Sequence, residues 1–250
     1  MEDHSSIGEG DIGQIKGKIS LRNNIGKRWH RFQVLTPCSF ILRGSRAMSD
    51  RRFKYKSRGR QAAPCAIVAI VYGRLFEPKE WTSHHIDQVL EYGDKLFRIS
   101  LRRNKLKDDE YMRTNLIHNE FYIGFYKIWV DIEKNGIRGN LFNQSVGCSD
   151  FAEGLQKFLR NNDSGVITTQ GNSVAVWRQS GNAGFFCYNP ASCDETGLHY
   201  ADGTACLMRF KYINDLHDHL LKNLNWRYDS RYCIDKVTLL RAIEVIIAVE

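Results

Sequence analysis

The apolar residues of this 250-residue chain change their spacing along the sequence, and this change restricts the fold more than any other feature. In residues 84–101 and 151–159, apolar residues recur every three or four positions, as they do on a helix face. Later, residues 165–169, 173–178, 184–188 and 204–210 form short runs rich in β-branched and aromatic residues, separated by turn residues such as Gly171 and Gly181. Runs of this kind predict a strand meander. Helices followed by an antiparallel sheet predict the α+β class.

Capping residues indicate where the helices begin. Pro64 suits the first turn of an apolar, Ala-rich segment, which predicts a fully buried helix there. The β-branched residues of the segment leave a strand as the alternative. Thr82-Ser83 and Ser149-Asp150 are suited to cap two further helices, since their side-chain oxygens can accept hydrogen bonds from the first backbone N–H groups. The predicted helices span residues 63–72, 84–101, 151–159, 213–224 and 236–249.

Composition places the chain among intracellular globular proteins. No apolar run approaches the roughly 20 residues that cross a bilayer, and the first residues contain no apolar signal-peptide core. We therefore expect no membrane association and a location in the nucleus or cytoplasm. Seven cysteines, an odd number, are expected to be free thiols. Their spacing matches no zinc motif, so neither a metal nor another cofactor is expected.

The net charge of +8 is concentrated in two clusters. Residues 43–60 contain eight basic residues and one acid, and they have few large apolar anchors, so a loop is predicted. The basic residues that we expect to bind phosphates are Arg51, Arg52, Lys54, Lys56, Arg58 and Arg60. The second cluster consists of Arg98, Arg102, Arg103, Lys105 and Lys107. Nucleic acid is therefore a candidate partner, and a solvated loop that favours solubility is the alternative.

Several short motifs, in this order, resemble those of a known peptidase family. They lie at residues 42–45, 50–53, 58–61, 86–97 and 185–197. Together they resemble the papain-like, OTU-like cysteine peptidases of viruses and transposons, including the herpesvirus tegument deubiquitinases. The resemblance implies a buried helix that begins at the nucleophile and packs on an antiparallel sheet, one strand of which carries the base.

The residues that would perform the chemistry differ from that pattern. The family nucleophile, a cysteine that begins the buried helix, corresponds to Ala62, and the preceding Gln61 resembles an oxyanion-stabilising residue. The family Asp-x-His unit corresponds to Asn189, Pro190 and Ala191. A methyl group can neither form a thioester nor transfer a proton. The resemblance therefore implies a pseudoenzyme that acts as a protein-binding adaptor, and Trp81, Tyr188 and Ala191 are the predicted walls of its binding cleft.

Two alternatives remain open. Cys65 lies three residues after Ala62, and with His199 and Asp202 it would make an active cysteine hydrolase, although a small buried residue is the simpler interpretation of Cys65. The chain is alternatively a basic nucleic-acid-binding protein. The expected organisation is an N-terminal arm at residues 1–35, an inactive OTU-like domain at residues 36–225 and a C-terminal helix at residues 226–250.

Overall fold

A computed structural model describes residues 29–105, 112–133, 136–142, 149–169, 172–179, 184–224 and 231–245. Within these ranges the chain forms four α-helices and eleven β-strands. The helices are α1 (Ala62–Leu75), α2 (Ser83–Asn104), α3 (Phe151–Asn161) and α4 (Ile213–Leu224). The strands are β1 (Gln33–Thr36), β2 (Ser39–Arg43), β3 (Glu120–Ile123), β4 (Tyr126–Ile132), β5 (Ile137–Asn140), β6 (Ser149–Asp150), β7 (Ser164–Thr169), β8 (Asn172–Gln179), β9 (Gly184–Cys193), β10 (Thr204–Phe210) and β11 (Arg231–Glu244).

The strands form one sheet in the order β1-β2-β10-β9-β8-β7-β11-β4-β3. Strand β5 pairs with β11 and β6 pairs with β5, and this last pair is parallel, whereas the other pairs are antiparallel. The predicted meander is confirmed as the run from β7 to β10, in which consecutive strands are neighbours. The α+β class is likewise confirmed.

Helices cover both faces of the central strands. Side chains of β9 alternate between two apolar clusters: Phe186 and Tyr188 pack with α1 and α2, whereas Cys187 packs with α3 and α4. This alternation follows from the period of two in a strand. Since both faces are covered, β9 is buried along most of its length.

The helices begin where capping residues predict. The Thr82 backbone N–H donates to His85 Nδ1 at 2.9 Å, and Asp150 Oδ1 accepts from the Glu153 N–H at 2.7 Å. These bonds satisfy groups that a helix start otherwise leaves unpaired. Helix α1 is buried from Ala62 to Gly73, which confirms the predicted buried helix.

The predicted C-terminal helix at residues 236–249 is wrong, because the described part of this segment belongs to β11. This strand pairs with β7 and β5 through its first half and with β4 through its second half. Leu, Arg, Ala and Glu favour a helix locally, but antiparallel pairing of residues 237–244 with β4 satisfies the backbone groups on one side of the strand and decides in its favour. Residues 226–230 and 246–250 of the predicted helix lie outside the described residues.

Most of the predicted N-terminal arm, residues 1–28, also lies outside the described residues. Its last part packs on the sheet: Trp29 and Phe32 are buried, and the Arg209 guanidinium lies 4.9 Å from the centre of the Trp29 ring. Strand β1 then forms one edge of the sheet. No helix in the described residues is long and apolar enough to cross a membrane.

Candidate functional site

The start of α1 is fixed by a buried glutamine. Gln61 is fully buried; its Nε2 donates to the Met48 carbonyl and its Oε1 accepts from the Arg60 N–H, both at 3.0 Å. Ala62 follows as the first residue of α1 and is 5% exposed. The side-chain amide of Gln61 therefore links the basic loop to the start of α1. This structural role was not predicted from the sequence.

The last part of β9 carries Asn189, Pro190 and Ala191, which the sequence resemblance aligns with the family Asp-x-His unit. Asn189 is buried, and its Oδ1 accepts the Ala191 backbone N–H at 3.0 Å. Pairing with β8 ends at Tyr188, and the ladder with β10 shifts register in the same region. Proline is tolerated at such interruptions, since it has no N–H to donate to a ladder. This explains how Pro190 fits in a strand.

Met48 joins these two parts of the site. Its N–H donates to the Pro190 carbonyl, and its own carbonyl accepts from the Gly59 N–H, each at 2.9 Å, as well as from Gln61. Met48 is buried, and Ala62 and the half-buried Ala191 belong to the same apolar cluster. The structure thus brings the start of α1 and the end of β9 together, as the resemblance implies. The role of Met48 could not be predicted from the sequence, in which it is only a large apolar residue in a basic loop.

The polar groups at this junction are amides and hydroxyls. The described hydrogen-bond partners of Gln61, Asn189 and Ala191 are backbone and amide groups, without an imidazole or a thiol among them. Ser49 and Ser192 bring their hydroxyls to 3.1 Å of each other. An amide or an unassisted hydroxyl does not act as a general base at neutral pH. The arrangement is suited to holding a shape and to binding.

Cys65 lies in an environment unlike that of a nucleophile. It is fully buried against α2, and burial, together with the charge of Asp94, raises the pKa of its thiol well above the usual value. Reactive cysteines instead have lowered pKa values and partial exposure. His199 is exposed in the turn after β9 and pairs through its backbone with Cys193, which packs in the cluster on the opposite face of the sheet from Cys65.

Two of the three predicted cleft walls are buried side chains, so their prediction as contact residues is wrong. Trp81 is fully buried, and its Nε1 donates to the Phe76 carbonyl at 3.0 Å. Tyr188 is also fully buried, and its hydroxyl donates to the Ile86 carbonyl at 3.3 Å. Aromatic residues look alike in sequence whether they line a cleft or fill a core, and here helices cover both. Ala191 alone remains partly accessible.

The basic segment is an ordered loop built from successive turns. Arg58 Nη2 donates to the Arg51 and Phe53 carbonyls at 2.8 and 3.0 Å, and Arg52 pairs with Asp50 at 3.3 Å. A backbone N–H of Arg52 has the largest effect in lowering the pKa of Asp50. Of the predicted phosphate-binding residues, Arg58 therefore also supports the loop. The described residues contain no group of three potential metal ligands.

An acidic residue on the buried side of α2 fastens the start of the same loop. Asp87 is buried and accepts from the Ser45 N–H at 2.9 Å and from the Ser45 hydroxyl at 2.6 Å. Arg46 lies 3.8 Å from Asp87 and pairs with Glu91 at 3.0 Å. This network was not predicted from the sequence. The feature that could have indicated it is Asp87, a charged residue beside Ile86 within the apolar stripe of a helix.

Comparisons with known proteins agree with this geometry. A solved structure, the ubiquitin-specific protease encoded by murine cytomegalovirus tegument protein M48, in complex with a ubiquitin-based suicide substrate, matches with a TM-score of 0.66 and 17% identity. The match covers 80% of this chain and 86% of that chain, and at this identity it shows the fold. A search of curated proteins finds no match. The family described as the N-terminal conserved region of herpesvirus tegument protein matches residues 43–242, and the chain therefore belongs to this family.

Proposed function

We propose that this chain is a catalytically inactive member of its family that acts as a protein-binding adaptor. The observation that carries the proposal is the pair of alanines at the junction of α1 and β9. Ala62 begins the buried helix, and Ala191 lies near the end of β9. The sequence resemblance aligns these two positions with the nucleophile and the base of the related peptidases. Neither side chain can take part in nucleophilic or proton-transfer chemistry.

The surroundings of the two alanines support the same proposal. In an active triad, the third residue holds the imidazole in one tautomer and stabilises its charged form. Asn189 Oδ1 instead accepts the Ala191 backbone N–H. Cys65, the nearest thiol along the sequence, is fully buried and has a raised pKa, which disfavours the alternative of an active hydrolase that uses Cys65.

The first test is of activity. We expect no hydrolysis of a fluorogenic ubiquitin substrate and no covalent capture by a ubiquitin-based electrophilic probe. The double variant Ala62→Cys/Ala191→His is expected to remain inactive, because replacing a triad aspartate by asparagine costs about 10⁴-fold in rate. Probe labelling of the unmodified chain that disappears in Cys65→Ser would refute the proposal.

The second test is of binding. The M48 protease was solved with a ubiquitin-based substrate, so ubiquitin is the first partner to try. Ala191 is a partly accessible residue of the junction and is therefore the position to change. We expect reversible binding of ubiquitin that Ala191→Arg abolishes. The matched control is Ala242→Arg, at an exposed alanine on β11. Equal binding by both variants would exclude the old cleft as the interface, provided that both retain the wild-type melting temperature.

A further inference from the structure

The two basic clusters of the sequence meet on one surface of the folded chain. A groove of about 670 Å³ separates residues 54–57 of the basic loop from the last turns of α2. Its walls carry five cations, two from the loop, two from α2 and one from the residue that follows α2. These are Lys54, Lys56, Arg98, Arg102 and Lys105. We call this surface the basic groove.

Most of this charge is available to a ligand. Arg98 pairs with Asp94 at 3.0 Å. In the described part of the chain, Lys54, Arg102 and Lys105 are exposed and have no carboxylate partner. Closely spaced cations repel one another, and an anion placed between them removes this repulsion while it releases its own counterions. The groove is therefore suited to a ligand with several negative charges.

The groove also offers apolar and aromatic contacts. Tyr55 is 80% exposed and stands in the loop wall between two lysines. Leu101 is partly exposed and contributes apolar surface to the same groove. An aromatic ring exposed to water does not stabilise the folded state. Beside cations, such a ring can stack on a base while the cations contact the phosphates.

We infer that the basic groove binds single-stranded nucleic acid, with phosphates at Lys54, Arg102 and Lys105 and an unpaired base on Tyr55. The inference is independent of the adaptor function proposed above. An acidic peptide would satisfy the charges but would make no use of the Tyr55 ring face. A duplex keeps its bases stacked on one another, so it would not use the ring face either.

The test compares three fluorescent probes by anisotropy: a 12-residue oligothymidylate, an abasic phosphodiester strand of the same length and a polyglutamate peptide of equal charge. For single strands, a plot of log affinity against log salt concentration falls with a slope of about 0.7 per phosphate neutralised. Lys54→Glu/Arg102→Glu removes two such contacts and should therefore reduce this slope by about 1.4. The neutral variant Lys54→Gln/Arg102→Gln should show a smaller loss of affinity. The matched control is Lys157→Glu/Lys222→Glu, which makes the same charge change on α3 and α4 and should bind as the wild type does.

The contribution of the ring is tested by Tyr55→Ala. Stacking of one base contributes enough that we expect about tenfold weaker binding of oligothymidylate, with no change for the abasic strand. The inference is overturned if oligothymidylate does not bind at about 50 mM salt, where phosphate contacts are strong. It is also overturned if polyglutamate binds as tightly with the same residue dependence, which would identify an acidic protein as the occupant. Equal losses in the groove variant and its matched control would overturn it as well.

Discussion

Helices α1 and α2 lie close together where Gly93 faces Cys65, and Gly93→Ala tests this contact. A Cβ atom at position 93 would lie 2.3 Å from Cys65 Sγ and 2.7 Å from Cys65 Cα. The second distance involves backbone, which no side-chain rotation can relieve. We therefore expect the two helices to be forced apart.

The expected cost is the difference between two opposing effects. Overpacking a core costs about 1–3 kcal/mol, and a backbone clash places this variant near the upper value. Alanine is favoured over glycine in a helix by about 1 kcal/mol. The net loss is about 2 kcal/mol, which should lower the melting temperature by about 4–8 °C in a chain of this size.

The control is Gly73→Ala, which makes the same change in α1. There the added Cβ would meet the Trp177 ring at 3.1 Å, and a shift of a few tenths of an ångström relieves the contact. We expect Gly73→Ala to change stability by less than about 1 kcal/mol, because the helix preference offsets the contact. Thermal or urea unfolding of both variants would refute the reasoning if Gly93→Ala were as stable as Gly73→Ala. Such a result would mean that Cys65 is not enclosed by α2, and it would support the alternative of an active hydrolase that uses Cys65.

Three further predictions concern thiol reactivity, pH and the buried acid. Iodoacetamide should modify the partly exposed Cys38 in the native protein, but Cys65 only after unfolding, because burial encloses the Cys65 thiol and raises its pKa. Mass spectrometry measures the labelling, and equal labelling of both cysteines in the native protein would contradict the prediction. Burial lowers the pKa of His219 from 6.5 to about 4, so the stability from its neutral form is complete above pH 6.5 and is lost as pH falls towards 4. Up to about 3 kcal/mol is involved, and urea unfolding of His219→Gln should show a smaller loss over this range than the wild type. Asp87→Ala should lower the free energy of unfolding by about 3 kcal/mol, because it leaves several hydrogen-bond donors without an acceptor, whereas Ser45→Ala should lower it by about 1 kcal/mol. Equal melting temperatures of the two variants would contradict the role of Asp87 in this network.

The parts of the fold that depend on local signals could be predicted from the sequence. Caps at Thr82 and Asp150 begin helices, and the apolar segment after Gln61 forms the buried helix. The meander was predicted too, because each strand is short and bounded by turn residues. In these elements, spacing, capping and turn residues all favour the same structure.

The parts that depend on distant contacts could not be predicted in the same way. Residues 236–244 have mixed preferences, and pairing with β7 and β4 decides in favour of a strand. Their β-branched residues were the available signal. The sequence around Trp81 and Tyr188 does not distinguish an aromatic residue that lines a cleft from one that is buried in a core. The basic groove exists because α2 carries the second basic cluster to the loop, which neither segment shows alone.

The geometry of the junction depends little on the side chains that differ from the family pattern. The start of α1 and the end of β9 are joined through the backbone of Met48 and through the Gln61 amide, and none of these bonds involves the side chain of Ala62 or Ala191. Replacing a cysteine and a histidine by alanine at these two positions would therefore leave every one of these bonds in place. Catalysis, by contrast, requires a nucleophile and a base held in one geometry. Fold and chemistry are thus separable at this site, because the contacts that hold the junction together are not the groups that catalysis would require.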